Sequence, residues 1–515
     1  MLEHYLRHIL NARIYKAARQ TPLDPMPQLS DRLQHHILLK REDLQPVFSF
    51  KIRGAYNKIS KLSDAEKARG VIVASAGNHA QGVAFSAKLL NIKATVIMPV
   101  TTPDTKVIAV RNYGAEIILH GDNFDQALEH CLALQRTRNM VFISPYDDLD
   151  IIAGQGTMGL EILQQCNDPI DAIFVPVGGG GMIAGIIAVV KYLQPEIKVI
   201  GVEPEDAASL TAALKAKSRV KLEQVGIFAD GVAVKQVGVE PFKIIEHHID
   251  GVINVTTDEI CAAIKDIFND TRAITEPSGA LAIAGVKKYV AQMSDQMPKQ
   301  LAGKQTFIAI NSGANTNFKR LRHITERAEI GEGKEVLLAA TIPEQPGSFK
   351  RFCQLLDGYP ITEFNYRYHH AAAAHIFVGI ELKQRSELKQ IMRLLASEEK
   401  SLDVLDMTDN EMAKIHLSHM IGGHMDSGLQ LNRERVFRFE FPERPGALMQ
   451  FLTNLGDQWN ISLFHYRNHG SAYGRVLAGL QIPEQEQQAF ALFLHQLGYP
   501  WFEETENPAY QRFLR

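Results

Sequence analysis

Ile170-Asp171-Ala172-Ile173-Phe174-Val175-Pro176-Val177-Gly178-Gly179-Gly180-Gly181-Met182 decides the fold class of this chain. A short apolar run stops at four successive glycines, and apolar residues at helical spacing resume behind them. A strand that feeds a helix through a glycine loop belongs to an α/β fold, a parallel sheet with helices on both faces. The N–H groups of such a loop converge on an anion, and the helix N-terminus adds a favourable dipole. The loop therefore reads as a phosphate cradle, and the owner of the phosphate stays open. Gly179, Gly181 and Ala184 also fit the dinucleotide pattern G-x-G-x-x-A, and Glu203 ends the next strand where a ribose-binding acid would stand. That keeps a dinucleotide-binding oxidoreductase in view. No Walker lysine follows, which argues against a nucleotide triphosphatase.

Working outward, the same rhythm recurs from about residue 20 to 320. Val71-Ile72-Val73, Ala94-Thr95-Val96-Ile97-Met98 and Lys198-Val199-Ile200-Gly201-Val202 are each followed by helical spacing of apolar residues. Ligands of such sheets bind beyond the carboxyl ends of the strands. Three further segments fit that rim. Ser49-Phe50-Lys51-Ile52-Arg53-Gly54-Ala55 sets a lysine among apolar neighbours at a helix start. Desolvation there would lower its pKa and make it a nucleophile toward an aldehyde; read alone, a solvated lysine beside an arginine is the plainer reading. In Ser75-Ala76-Gly77-Asn78-His79-Ala80-Gln81-Gly82 small polar residues lead from a strand into a helix, an arrangement that offers donors to a carboxylate. His79 reads as a base or as a packed side chain. Ala309-Ile310-Asn311-Ser312-Gly313-Ala314-Asn315 brings a hydroxyl to the same rim.

Composition narrows the classes. Of 515 residues, 45% are hydrophobic and 22% charged, and the net charge is -3, so nothing recruits a nucleic-acid backbone or an anionic membrane. The four cysteines lie far apart, with neither the spacing of a zinc site nor the density of a disulfide framework. No apolar stretch reaches the roughly 18 residues of a membrane span, and no metal site is expected. Leu2, Leu6, Leu10 and Ile14 predict an amphipathic N-terminal helix, read as structural rather than as a targeting segment. A cytoplasmic location follows.

The texture changes after residue 325. Residues 326–334 read as a linker, and behind it lies a repeat: Pro343-Glu344-Gln345-Pro346-Gly347 recurs 99 residues later as Pro442-Glu443-Arg444-Pro445-Gly446. Ile361, Phe364, Tyr366 and Arg367 recur as Ile461, Phe464, Tyr466 and Arg467. Each copy spells strand, turn, helix, strand, strand, helix, the split βαβ order of a ferredoxin-like α+β module. The expected domains are 1–325 in two subdomains, then modules at 335–410 and 430–515.

Together, S-F-K-I-R-G-A, S-A-G-N-H-A-Q-G and G-G-G-G-M resemble the fold-type II pyridoxal-phosphate enzymes of the tryptophan synthase β family, and within it the threonine and serine dehydratases. The resemblance covers about residues 5–320. It implies pyridoxal 5'-phosphate carried by Lys51, with Phe50 beside the ring and Gly178, Gly179, Gly180, Gly181 and Met182 on the phosphate. It places Asn78 at the ring hydroxyl, Ser312 at the pyridine nitrogen, and Ser75, Ala76, Gly77, Asn78 and His79 on the substrate carboxylate. The implied reaction is α,β-elimination of ammonia and water from threonine, with serine as the alternative substrate. The repeated modules resemble ACT-like regulatory domains, which implies feedback inhibition by isoleucine and a homotetramer; whether valine is a second effector stays open. Gly347, Phe349 and Gly446 are the residues expected to serve regulation.

Overall fold

The computed structural model describes residues 1–296, 303–318, 320–343, 347–367, 373–398, 403–415, 417, 434–442, 449, 452–453, 459–467, 473–497, 500–508 and 510. The chain divides into two units, Met1–Gly331 and Glu332–Arg515.

The first unit carries two sheets. Val71–Ala74, Ala94–Met98, Glu116–Leu119 and Val141–Phe142 form a four-stranded parallel sheet inserted between strands of the larger one. In the larger sheet the order is Leu23–Pro25, His36–Arg41, Thr306–Asn311, Ala172–Pro176, Lys198–Pro204 and Gly251–Val255. Only its edge pair, Leu23–Pro25 with His36–Arg41, is antiparallel. Val175, Ile173, Ile308 and Ile310 pack with the helix Gly181–Leu193, while Phe174, Phe307 and Val202 pack on the opposite face. Both faces are covered by helices, so the strands read as continuous apolar runs.

Four parallel strands of the two sheets carry the candidate loops at their carboxyl ends. His36–Arg41 leads to the helix Lys51–Ser60, and Val71–Ala74 leads to the helix Asn78–Leu89. Ala172–Pro176 leads through the glycines to Gly181–Leu193, and Thr306–Asn311 ends at Ser312. The N-terminal helix Leu2–Leu10 buries Tyr5, Leu6 and Ile9, but Leu10 is exposed, so its buried face lies beside the predicted one. The charged stretch after residue 325 is mostly helix: Arg320–Gly331 is continuous, held by Arg322–Glu326 and Lys265–Glu329 pairs. Only residues 332–334 separate it from the next strand, Glu335–Pro343.

The second unit is one eight-stranded antiparallel sheet made from both repeats. Ile361–Arg367 of the first copy pairs with Asn460–Arg467 of the second. Its register is self-symmetric: Phe364 faces Tyr466, Asn365 faces His465, and Tyr366 faces Phe464. The repeat noted in the sequence thus becomes a local two-fold through the Asn365–His465 pair. Edge strands that would otherwise invite foreign pairing close on each other. Phe349 bridges the copies, its ring 4.9 Å from Phe364 and 5.0 Å from Phe464. Gly347, with φ of 86°, starts the helix Ser348–Leu355 in a left-handed conformation that favours glycine. Gly446 lies outside the described residues, as do Glu344 to Pro346.

Candidate active site

Lys51 opens its helix with its amine over the Phe50 ring, 5.2 Å from the centroid. Among the described residues, Nζ hydrogen-bonds only the Pro145 carbonyl, at 3.1 Å. Desolvation lowers its pKa to about 8, against a smaller opposing pull from Glu276. An amine held without a carboxylate partner and within reach of its free base is the nucleophile that an aldehyde needs. The Phe50 N–H donates to the Ser312 carbonyl at 3.1 Å, which ties this segment to the end of strand Thr306–Asn311.

The glycine loop has the property a phosphate requires. Gly179, Gly180, Gly181 and Met182 are buried, and among the described residues no protein acceptor takes their N–H groups. Buried backbone donors are rarely left unpaired. Here they gather at the N-terminus of an apolar helix, where the dipole also favours negative charge. Gly180 takes φ of 88° to make the turn. At Gly179 a methyl group would lie 2.1 Å from Cγ of Tyr146, so no larger residue fits beside that ring. These residues fit pyridoxal phosphate: a donor set for its phosphate and a lysine for its aldehyde.

The second loop supplies a similar donor set. The Gly77 N–H donates to Ser75 Oγ, and the helix Asn78–Leu89 begins directly behind it. The Asn78 amide donates to Glu276 Oε1 at 2.6 Å and accepts from Asn315 Nδ2 at 2.7 Å. Ser312 Oγ donates to the Ser278 carbonyl at 3.2 Å. His79 is packed: its ring Nε2 meets the Ile143 carbonyl at 3.0 Å. Burial, with the Lys51 charge behind it, lowers its pKa to about 3. A histidine so held stays neutral and is a poor base.

Glu276 and Tyr146, near these groups, escaped the sequence reading, and Asn315 was read only as the end of a strand-end motif, without a role. Glu276, 3% exposed, faces Asn78; burial, reinforced by Asp230, raises its carboxyl to about 7. Asn315 completes the amide chain, and Tyr146 backs the glycines. The available signal was Thr275-Glu276-Pro277-Ser278-Gly279, an acid just ahead of a proline at the start of a helix.

Glu203 overturns the dinucleotide reading. It is fully buried, and its carboxylate accepts the N–H groups of Leu210 and Thr211 at 2.7 and 2.9 Å and the Thr211 hydroxyl at 2.8 Å. Those oxygens satisfy the start of the helix Ser209–Ala216 and leave no carboxylate for a ribose.

The fold and the site together define an enzyme that works through a phosphate-bearing aldehyde cofactor. The family of pyridoxal-phosphate dependent enzymes matches residues 14–313, and the C-terminal regulatory domain of threonine dehydratase matches residues 326–417 and 426–514. The chain is 52% identical over 513 residues to a biosynthetic L-threonine dehydratase of Burkholderia multivorans, covering 99% of both chains. It is 52% identical over 511 residues to that of Escherichia coli, covering 99% of this chain and 97% of the other. A threonine deaminase structure from Solanum lycopersicum superposes with a TM-score of 0.61 at 47% identity, covering 64% of this chain and 88% of that one. The chain belongs to the biosynthetic threonine dehydratases, pyridoxal-phosphate enzymes with a C-terminal regulatory unit. Among the described residues, no helix is long and apolar enough to cross a membrane.

Proposed function

We propose that this chain deaminates L-threonine to 2-oxobutanoate and ammonia in the cytoplasm, as the first step toward isoleucine. The observation that carries the reading is the Lys51 amine, desolvated to a pKa of about 8 and bonded only to a carbonyl among the described residues. Pyridoxal phosphate, when bound, draws electrons from the carbon bearing the amino group and makes its hydrogen acidic. The chain's own residues do the rest. Gly178, Gly179, Gly180, Gly181 and Met182 anchor the phosphate through backbone N–H groups, and Phe50 lies against the ring. Asn78, its amide oriented by Glu276 and Asn315, faces the ring hydroxyl. The loop from Ser75 through His79 holds the threonine carboxylate. Ser312, whose hydroxyl donates to the Ser278 carbonyl, would set a neutral side chain and no carboxylate beside the ring nitrogen. A cofactor so held would draw less charge onto its ring, which would favour loss of the β-hydroxyl.

Lys51 Nζ takes the Cα proton as a free base. The hydroxyl leaves as water with one proton, equal to the one Lys51 has taken from Cα, and the enamine left behind tautomerises and is hydrolysed by water to 2-oxobutanoate and ammonia. Isoleucine inhibits through the duplicated unit, and the enzyme is a homotetramer; Gly347, Phe349 and Gly446 lie in the segments that support effector control. Effector control requires different affinities for the active and inactive states. Lys51→Ala tests the reaction: steady-state release of 2-oxobutanoate from threonine should vanish, and a rate near that of the unaltered chain would refute the assignment.

A further inference from the structure

A second buried charge cluster sits directly behind Lys51, and the chemistry above does not use it. Arg53 has no exposed surface. It forks onto Glu42 at 2.8 and 2.7 Å and onto Glu161 at 2.6 and 2.9 Å. Lys40 completes a neutral set of two cations and two carboxylates, 2.5 Å from Glu161. Thr21 donates to Glu42 at 2.6 Å, and Thr157 accepts from Arg53 at 3.1 Å. One guanidinium thus joins the segment after strand His36–Arg41 to the long helix Leu149–Gln165.

Arg53 is two positions after Lys51, about 200° round the same helix, so the two side chains leave on opposite sides. The helix that carries both is held sideways on two flanks. A methyl at Gly154 would meet the Arg53 carbonyl at 2.5 Å and Gly54 Cα at 2.6 Å, and one at Gly82 would meet the Lys51 carbonyl carbon at 3.2 Å. With both flanks in backbone contact, the remaining motions are rotation and axial shift. A planar, doubly bidentate guanidinium resists both, whereas an ammonium with one point of charge does not.

We propose that Arg53 is a positioning residue for the reaction: its double fork fixes the rotation of the helix Lys51–Ser60 and so the placement of the Lys51 amine. The proposal rests on Lys51 being the reactive lysine. A misplacement of about 1 Å costs on the order of a hundredfold in rate.

The test compares the unaltered holoenzyme with Arg53→Lys, which keeps the charge and loses the fork. Ile267→Ala, a core cavity in the helix Thr257–Thr271, serves as the control for lost stability. Each is assayed well below its melting temperature, at full cofactor content, for kcat, KM and visible circular dichroism of the bound cofactor. Arg53→Lys should lower kcat about ten- to a hundredfold, leave KM within about twofold, and change the dichroic band. Ile267→Ala should lose melting temperature and keep both kcat and the band. If Arg53→Lys keeps kcat and the band, or if the control loses kcat equally for an equal fall in melting temperature, the proposal is overturned. Should Arg53→Lys fail to fold, Glu42→Gln, which strips charge from one fork and keeps its shape, is read against the same outcomes. An unaltered chain that takes up no cofactor overturns the Lys51 reading itself, and the proposal with it.

Discussion

Replacing Lys51 with methionine should stabilise the cofactor-free protein at neutral pH. Burial lowers the pKa of the amine from the ordinary lysine value of 10.5 to about 8. Between those values the unfolded chain holds a proton that the folded chain has given up, so stability rises with pH across that window. Below pH 8 the charged amine is carried into the fold, and the full penalty applies. A fall of that size corresponds to about 3 kcal/mol, trimmed toward about 2 kcal/mol because the side chain still meets some water. Methionine has similar length and no charge to desolvate. Lys51→Met should therefore gain about 2–3 kcal/mol at pH 7, and the gain should fade as pH passes from 8 toward 10.5. Urea unfolding read by hydrogen exchange over residues 1–331 isolates the first unit from the second. No gain at pH 7, or a gain of equal size at pH 11, would refute the reasoning. The expected sign is that of a functional residue kept at the expense of stability.

Glu276→Gln should flatten the pH dependence of stability. Its carboxyl is raised from 4.5 to about 7, so its contribution is full below 4.5 and lost as pH rises through 7; urea midpoints against pH should show that slope in the unaltered chain alone. Gly179→Ala puts a methyl 2.1 Å from Tyr146 Cγ and should lower cofactor affinity at least about tenfold, measured by fluorescence titration of the cofactor-free protein. Phe464→Ala empties a fully buried position where the two repeats meet and should cost the second unit about 3–5 kcal/mol in unfolding experiments. At temperatures where that variant stays folded, its response to isoleucine should weaken while basal turnover persists.

The loops of the candidate site were legible because each is a local string at a strand end. The glycine loop, Lys51 and Ser312 needed only the strand–loop–helix rhythm to be placed on one rim. The repeat was equally legible, but its offset did not say that Ile361–Arg367 of one copy would pair with Asn460–Arg467 of the other. What the chain concealed depends on partners distant in sequence. Glu203 has the local look of a ribose-binding acid until Leu210 and Thr211 are seen to occupy it. Glu276 and Asn315 stand 198 and 237 residues from Asn78, and no periodicity links them. At the N-terminus, spacing allowed a face through Leu10, but packing chose Tyr5, Leu6 and Ile9. The charged segment after residue 325 looked like linker because ion pairs on one helical face are indistinguishable from solvated charges in a string.

The central claim is that Lys51 and the glycine loop hold pyridoxal phosphate for the elimination of water and ammonia from threonine. The most direct measurement is the visible spectrum of the purified protein before and after threonine is added, with released 2-oxo acid assayed in the same cuvette. The account predicts a visible band that changes on addition of threonine, together with 2-oxobutanoate. A colourless protein that stays inert after pyridoxal phosphate is supplied would contradict it.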